Sequence, residues 1–191
     1  MDYKVLMLKK LRSYPKRINH TLNVLERALE LGKLYNASLE VLEVASLLHD
    51  ITKYHTKEEH LNLVKDESIL KCYDESLHHS ISAYYYAKEI GIKDAKILEA
   101  IRYHIWGKVE MNLETMILVV SDYTEKDRKF KEAKTAYKIA KEDIVKGYLY
   151  IMEKTMEYLI KNNINPHKEQ IKVYNYYKEK CKGEIDARKN S

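Results

Sequence analysis

Leu47-Leu48-His49-Asp50-Ile51-Thr52-Lys53 sets two metal-ligating residue types side by side at the end of an apolar helical run. Upstream, Ser38 is positioned to cap a helix whose apolar residues Val41, Leu42, Val44, Ala45 and Leu48 lead straight into His49. Lys53 follows His49 by four and Asp50 by three, so all three side chains share a side if the helix persists for one more turn. If the helix stops at Asp50, that link is lost.

The neighbouring segments read as helices as well. Ile18, Leu22, Leu25 and Leu29 form one helical stripe with His20 at its edge. From Ser76 a helix holds His78, Ile81 and Tyr85 in register and stops at Gly91. Asp94 caps a helix with Ile97, Leu98, Ile101 and His104 on one face, closed by Gly107. Asn112 can cap the apolar segment that leads to Asp122. One long helix is expected from about Ala133 to Lys161, broken at Asn165-Pro166, with Gly147 as a soft point. Residues 53–75 are polar and read as a loop with at most one short helix, where His55 and His60 carry little chemistry.

With 191 residues, five Gly and two Pro, the chain suits a single all-α domain over residues 1–181, followed by a frayed charged tail at 182–191. Its 34 basic and 29 acidic residues are intermixed, so a net charge of +5 favours an anionic small ligand without requiring nucleic acid. The Lys- and Tyr-rich C-terminal run is read equally well as a solvated helix face. No apolar run exceeds five residues, which argues against a signal peptide or membrane span. Cys72 and Cys181 form no CxxC pair and point to the cytoplasm.

Each of His20, His78, His104 and Asp122 alone is explained by an ordinary hydrogen bond. Four imidazoles and two carboxylates in one small core are not, because unpaired they would be expensive to bury. A cation resolves that cost, and imidazole with carboxylate but no thiolate suits iron, manganese, cobalt or zinc.

The order His20, His49-Asp50, His78, His104, Asp122 resembles the HD-domain metal-dependent phosphohydrolases. Arg17-Ile18-Asn19-His20-Thr21, the LLHDITK core, Ala100-Ile101-Arg102-Tyr103-His104, and Asp122-Tyr123 followed by Glu125 and Arg128 are similar to the YqeK-type symmetrical diadenosine tetraphosphate hydrolases over roughly residues 15–178. The resemblance implies a helical bundle enclosing a dinuclear site, with two iron ions held by those six residues and Asp50 as the bridge. It implies cleavage of diadenosine tetraphosphate into two ADP by attack of metal-bound hydroxide on a central phosphorus. Asp50 and Lys53 would be catalytic; His20, Arg17, Lys53, Arg102, His104, Lys108 and Arg128 would contact substrate.

His78 takes the ligand role over His79, since Ile81, Ala83 and Tyr84 then fall where the family has its valine, alanine and tyrosine. The chain departs from the family at Lys126-Asp127, where Pro-Gly is usual, at Ile105-Trp106, and at Tyr174-Asn175, where Arg-Asn is common. Trp106 is read as closing a core edge. The rival readings are a phosphohydrolase of another nucleotide, a non-catalytic metal- and nucleotide-binding regulatory domain, and a plain helical interaction module. A homodimer is left open.

Overall fold

The computed structural model describes the backbone of residues 1–189 and the side chains of residues 1–182. Among the described residues there are eleven α-helices and no strand: α1 (Tyr3–Lys10), α2 (Pro15–Leu34), α3 (Leu39–Leu48), α4 (Lys57–Val64), α5 (Glu67–Lys71), α6 (His78–Glu89), α7 (Ala95–Tyr103), α8 (Leu113–Thr124), α9 (Lys131–Glu142), α10 (Ile144–Lys161) and α11 (Lys168–Lys189). No helix among them is long and apolar enough to cross a membrane.

The helix α3 is the centre of the bundle. Ser38 caps it by accepting from the Val41 amide, and from Val41 onward only Glu43 escapes burial. A helix apolar on nearly all sides has to be covered on nearly all sides, and α3 packs against α1, α2, α7 and α8. Leu42, Ala45 and Leu48 are fully inaccessible, each leucine worth about 1.5–3 kcal/mol of burial. Two cores meet here. One gathers Val44, Leu47, Leu48 and Ile51 with Ala83, Tyr86, Ile101 and Leu118; the other places Leu42 with Ile117, Tyr148, Ile151, Val173 and Tyr177 from the C-terminal helices.

Several local expectations change. Residues 53–75 hold two short helices, not a loop: Thr56 and Glu59 form a reciprocal capping box that starts α4, and Asp66 caps α5. The long helix expected over 133–161 is two. Asp143 adopts an extended backbone (φ −153°) and caps α10 through the Lys146 amide. Gly147 is no soft point either, since a Cβ there would lie 2.5 Å from Ala140 Cβ and 2.6 Å from its Cα. It is the place where α9 and α10 touch backbone to backbone. Trp106 is buried and stacks with His167, which places it in the core edge. The expected tail at 182–191 falls partly outside the described residues, and α11 runs across its start to Lys189.

Candidate metal centre

The helix α3 ends at Leu48, with His49 as its C-cap, and the chain turns through Ile51 N–H to Leu48 O (3.1 Å) and Lys53 N–H to Asp50 O (2.9 Å). His49, Asp50 and Lys53 therefore share no helix face. The turn is anchored from outside: the Thr52 hydroxyl donates to the His79 carbonyl at 2.9 Å.

Asp50 lies at the focus. Its Oδ2 faces His49 Nε2 at 3.3 Å and His20 Nε2 at 3.7 Å, with the Arg17 guanidinium at 2.6 Å. Its Oδ1 faces His79 Nε2 at 3.2 Å and His104 Nε2 at 3.9 Å. The carboxylate thus divides four imidazoles into two groups, His20 with His49 and His79 with His104, and each group has the compactness a cation needs. Asp122 Oδ1 stands 3.0 Å from His20 Nε2 on the rim.

Imidazole orientation is set from behind. His49, His79 and His104 donate from Nδ1 to the carbonyls of Ser46, Ser76 and Ile101 at 2.7–2.8 Å, each three residues upstream. This leaves Nε2 as the ligating edge. His20 differs, its Nδ1 lying 3.5 Å from the carboxylate of Glu125. Glu125 is itself buried and accepts from Asn23 Nδ2 and the Asp127 amide.

Burial pushes the Asp50 carboxyl up, but His49 at 3.3 Å, with His79 and Lys53 behind it, holds it well below the usual range. Burial likewise opposes ionisation of Asp122, and the imidazoles of His20 and His49 overcome it, so that carboxyl too is strongly depressed. Burial, then repulsion from His49, pushes His104 down to about 4, and burial lowers His79 well below its usual value. Two carboxylates held ionised among imidazole nitrogens, those of His79 and His104 kept neutral, make a cation-binding donor set. Among the described residues, His20 Nε2, His49 Nε2 and Asp50 Oδ1 are buried without a hydrogen-bond partner, the pattern expected where a divalent metal completes the site.

The structure brings together His20, His49, Asp50, His104 and Asp122, but not His78. That imidazole donates from Nε2 to the carbonyls of Leu70 and Tyr73 at 3.0 and 3.1 Å, and His79 stands in its place. The reason is the face of α6. His79 shares a side with Ala83, Tyr86 and Ala87, which belong to the main core, whereas His78 shares a side with Ile81, which packs on Val64 and Leu70 of α4 and α5. That first stripe was visible in the sequence as steps of four, three and one. Both histidines are 4 % exposed, so burial alone could not choose.

Of the expected substrate contacts, Arg17 reaches Asp50, Lys53 Nζ lies 3.1 Å from His79 Nε2, and Arg128 is 3.6 Å from both Asp122 and Glu125. The Lys126-Asp127 turn is held by Asn19 and Asn23, which donate to Asp127 Oδ2 at 2.6 and 2.9 Å. Arg102 and Lys108 are not brought to the cluster. Arg102, two residues before His104 and so on another side of α7, lies over Tyr73 and Tyr103. Lys108 follows the positive-φ turn at Gly107 and pairs with Glu99 at 3.5 Å.

The HD domain family profile matches residues 17–127. The chain is 34% identical to a symmetrical bis(5'-nucleosyl)-tetraphosphatase of Halalkalibacterium halodurans over 90% of this chain and 94% of that protein. It is 31% identical to the protein of the same name from Bacillus subtilis, over 84% and 88%. A crystal structure from Clostridium acetobutylicum, described as that of a predicted HD superfamily hydrolase involved in NAD metabolism, superposes with a TM-score of 0.82 at 29% identity, over 91% of this chain and 96% of that one. With the His49-Asp50 pair at the focus of its buried histidines, the chain belongs to the HD domain family, among the YqeK-type phosphohydrolases.

Proposed function

We propose that the protein hydrolyses dinucleoside tetraphosphates symmetrically, with diadenosine tetraphosphate the main substrate and two ADP the products. The observation that supports this most directly is the Asp50 carboxylate, whose two oxygens each face a separate pair of imidazoles. His20, His49 and Asp50 would hold one cation, and Asp50, His79 and His104 the other, with Asp122 beside His20. Iron is the favoured metal by family resemblance, and the nitrogen and oxygen donors suit manganese, cobalt and zinc as well. Such a pair supplies a water-derived nucleophile at neutral pH and neutralises charge on the transferring phosphoryl group.

The chain's own residues do the rest. Lys53 and Arg128 flank the centre from opposite sides, at His79 and at Asp122 respectively. They place fixed positive charge where a loose phosphoryl transition state spreads negative charge. Arg17 holds Asp50 by a 2.6 Å ion pair and so fixes which way its two oxygens point. The two free cysteines, Cys72 and Cys181, fit a reducing cytoplasm.

Incubation of metal-loaded protein with diadenosine tetraphosphate, followed by product separation, tests the proposal. Two ADP per substrate are expected, and activity falls away in His49→Ala and Asp50→Ala. AMP plus ATP, or no turnover, overturns the symmetrical reading.

A further inference from the structure

The residues between the HD pair and α6, polar and unremarkable in sequence, line a cavity of about 220 Å³ that opens to solvent beside the centre. His79 belongs to both: it lines the cavity, and its Nε2 is 3.2 Å from Asp50 Oδ1. Lys53 and Lys57 stand on the walls, and neither ammonium forms an ion pair among the described residues. His60, buried, is fixed by a 2.7 Å bond between Nδ1 and the Ser82 hydroxyl, which leaves Nε2 as the ring's free edge. Among the described residues, His55 Nδ1 is enclosed without a partner and Glu75 is the one carboxylate in the lining, against two ammonium groups.

Size restricts the ligand. Cavities that enclose whole drug-sized molecules run to about 300–1,000 Å³, and at about 220 Å³ this one is smaller. A phosphate group fits within it. Nitrogen-bearing side chains, two of them cationic and without acid partners, suit phosphoryl oxygens.

We propose that this cavity is a phosphate subsite, which takes the phosphoryl group next along the chain from the one at the His/Asp centre. It rests on the reading of the centre as a dinucleoside polyphosphate hydrolase and extends it. The protein then measures a polyphosphate chain, because a ligand with one phosphate occupies the centre alone and a ligand with two also fills the cavity.

Calorimetric titration of the metal-loaded protein with ADP and with AMP, in wild type, Lys57→Ala and His60→Gln, provides the test. Lys57 is exposed in the first turn of α4, so its replacement leaves the fold alone, and metal content is measured on each sample. Wild type binds ADP more tightly than AMP. Each variant loses about tenfold in ADP affinity, the worth of one charge-assisted hydrogen bond, with AMP affinity held within about twofold. An unchanged ADP-to-AMP ratio overturns the subsite, as does an equal loss for both ligands or a wild type that does not distinguish them. Turnover of diadenosine tetraphosphate by the same wild-type sample is scored separately. A collapsed ratio without turnover keeps the subsite and removes the hydrolase reading; turnover with an unchanged ratio does the reverse.

Discussion

His79 turns its Nε2 to within 3.2 Å of Asp50 Oδ1, while its neighbour His78 turns the same atom onto the carbonyls of Leu70 and Tyr73. Two adjacent, equally buried histidines therefore have separate jobs. His79→Ala is expected to remove one of two bound metals and to lower turnover by more than the roughly 10–100-fold that loss of an outer partner costs. His78→Ala keeps both metals and loses about 1–3 kcal/mol of stability, because two buried carbonyls lose their donor. Elemental analysis beside denaturant melts separates the two outcomes.

Glu125 does for His20 what backbone carbonyls do for the other three imidazoles. Glu125→Ala should weaken metal binding by about 10–100-fold, with Glu125→Gln intermediate because the amide oxygen still accepts from His20. Competition with a chromogenic chelator reads this directly. Equal metal affinity in wild type and Glu125→Ala would show that Glu125 only shapes the loop.

Acid should destabilise the metal-free protein well above the carboxylate range. Burial, with repulsion from His55 and His78, lowers His60 to about 4, and burial with His49 does the same to His104. Both titrate near 6.5 once unfolded. Between pH 6.5 and 4 the unfolded chain takes up protons that the folded one refuses, so stability falls as pH drops through that window. His49 is raised, because Asp50 outweighs its burial, so its contribution changes above pH 6.5 instead. The depressed Asp50 and Asp122 act below the window. Urea midpoints at pH 7 and pH 5 should differ in that direction, and His60→Gln should reduce the difference.

Gly147→Ala is a test of packing away from the centre. Its new Cβ meets the Ala140 backbone at 2.6 Å, and backbone cannot step aside as a flexible side chain does. A loss of about 1–3 kcal/mol is expected, seen as a drop in Tm of about 2–4 °C per kcal/mol for a chain of this size. Turnover per folded molecule should be unchanged.

Much was legible in one dimension because it rests on local rules. Ser38, Asp94 and Asn112 cap the helices they precede, since a side-chain oxygen two or three residues before a free amide needs nothing from elsewhere in the chain. The apolar stripes follow from helical periodicity, and the ordered His and Asp residues with the segments around them carry the resemblance to a family. The capping box at Thr56 and Glu59 is equally local, but it lies among charges that mask the apolar pattern of α4 and so the cavity that α4 helps to line.

What tertiary structure decided was choice among equivalents. The sequence placed a carboxylate beside an imidazole at residues 49 and 50, but α3 stops at Leu48, and only the packing of α2, α6 and α7 around that turn brings the remaining imidazoles to the two oxygens of Asp50. A helix face is fixed by periodicity only up to which neighbour it meets. On α6 both His78 and His79 lie on buried faces, and the packing of α4 on one and of α7 on the other assigned the first to backbone carbonyls and the second to the centre.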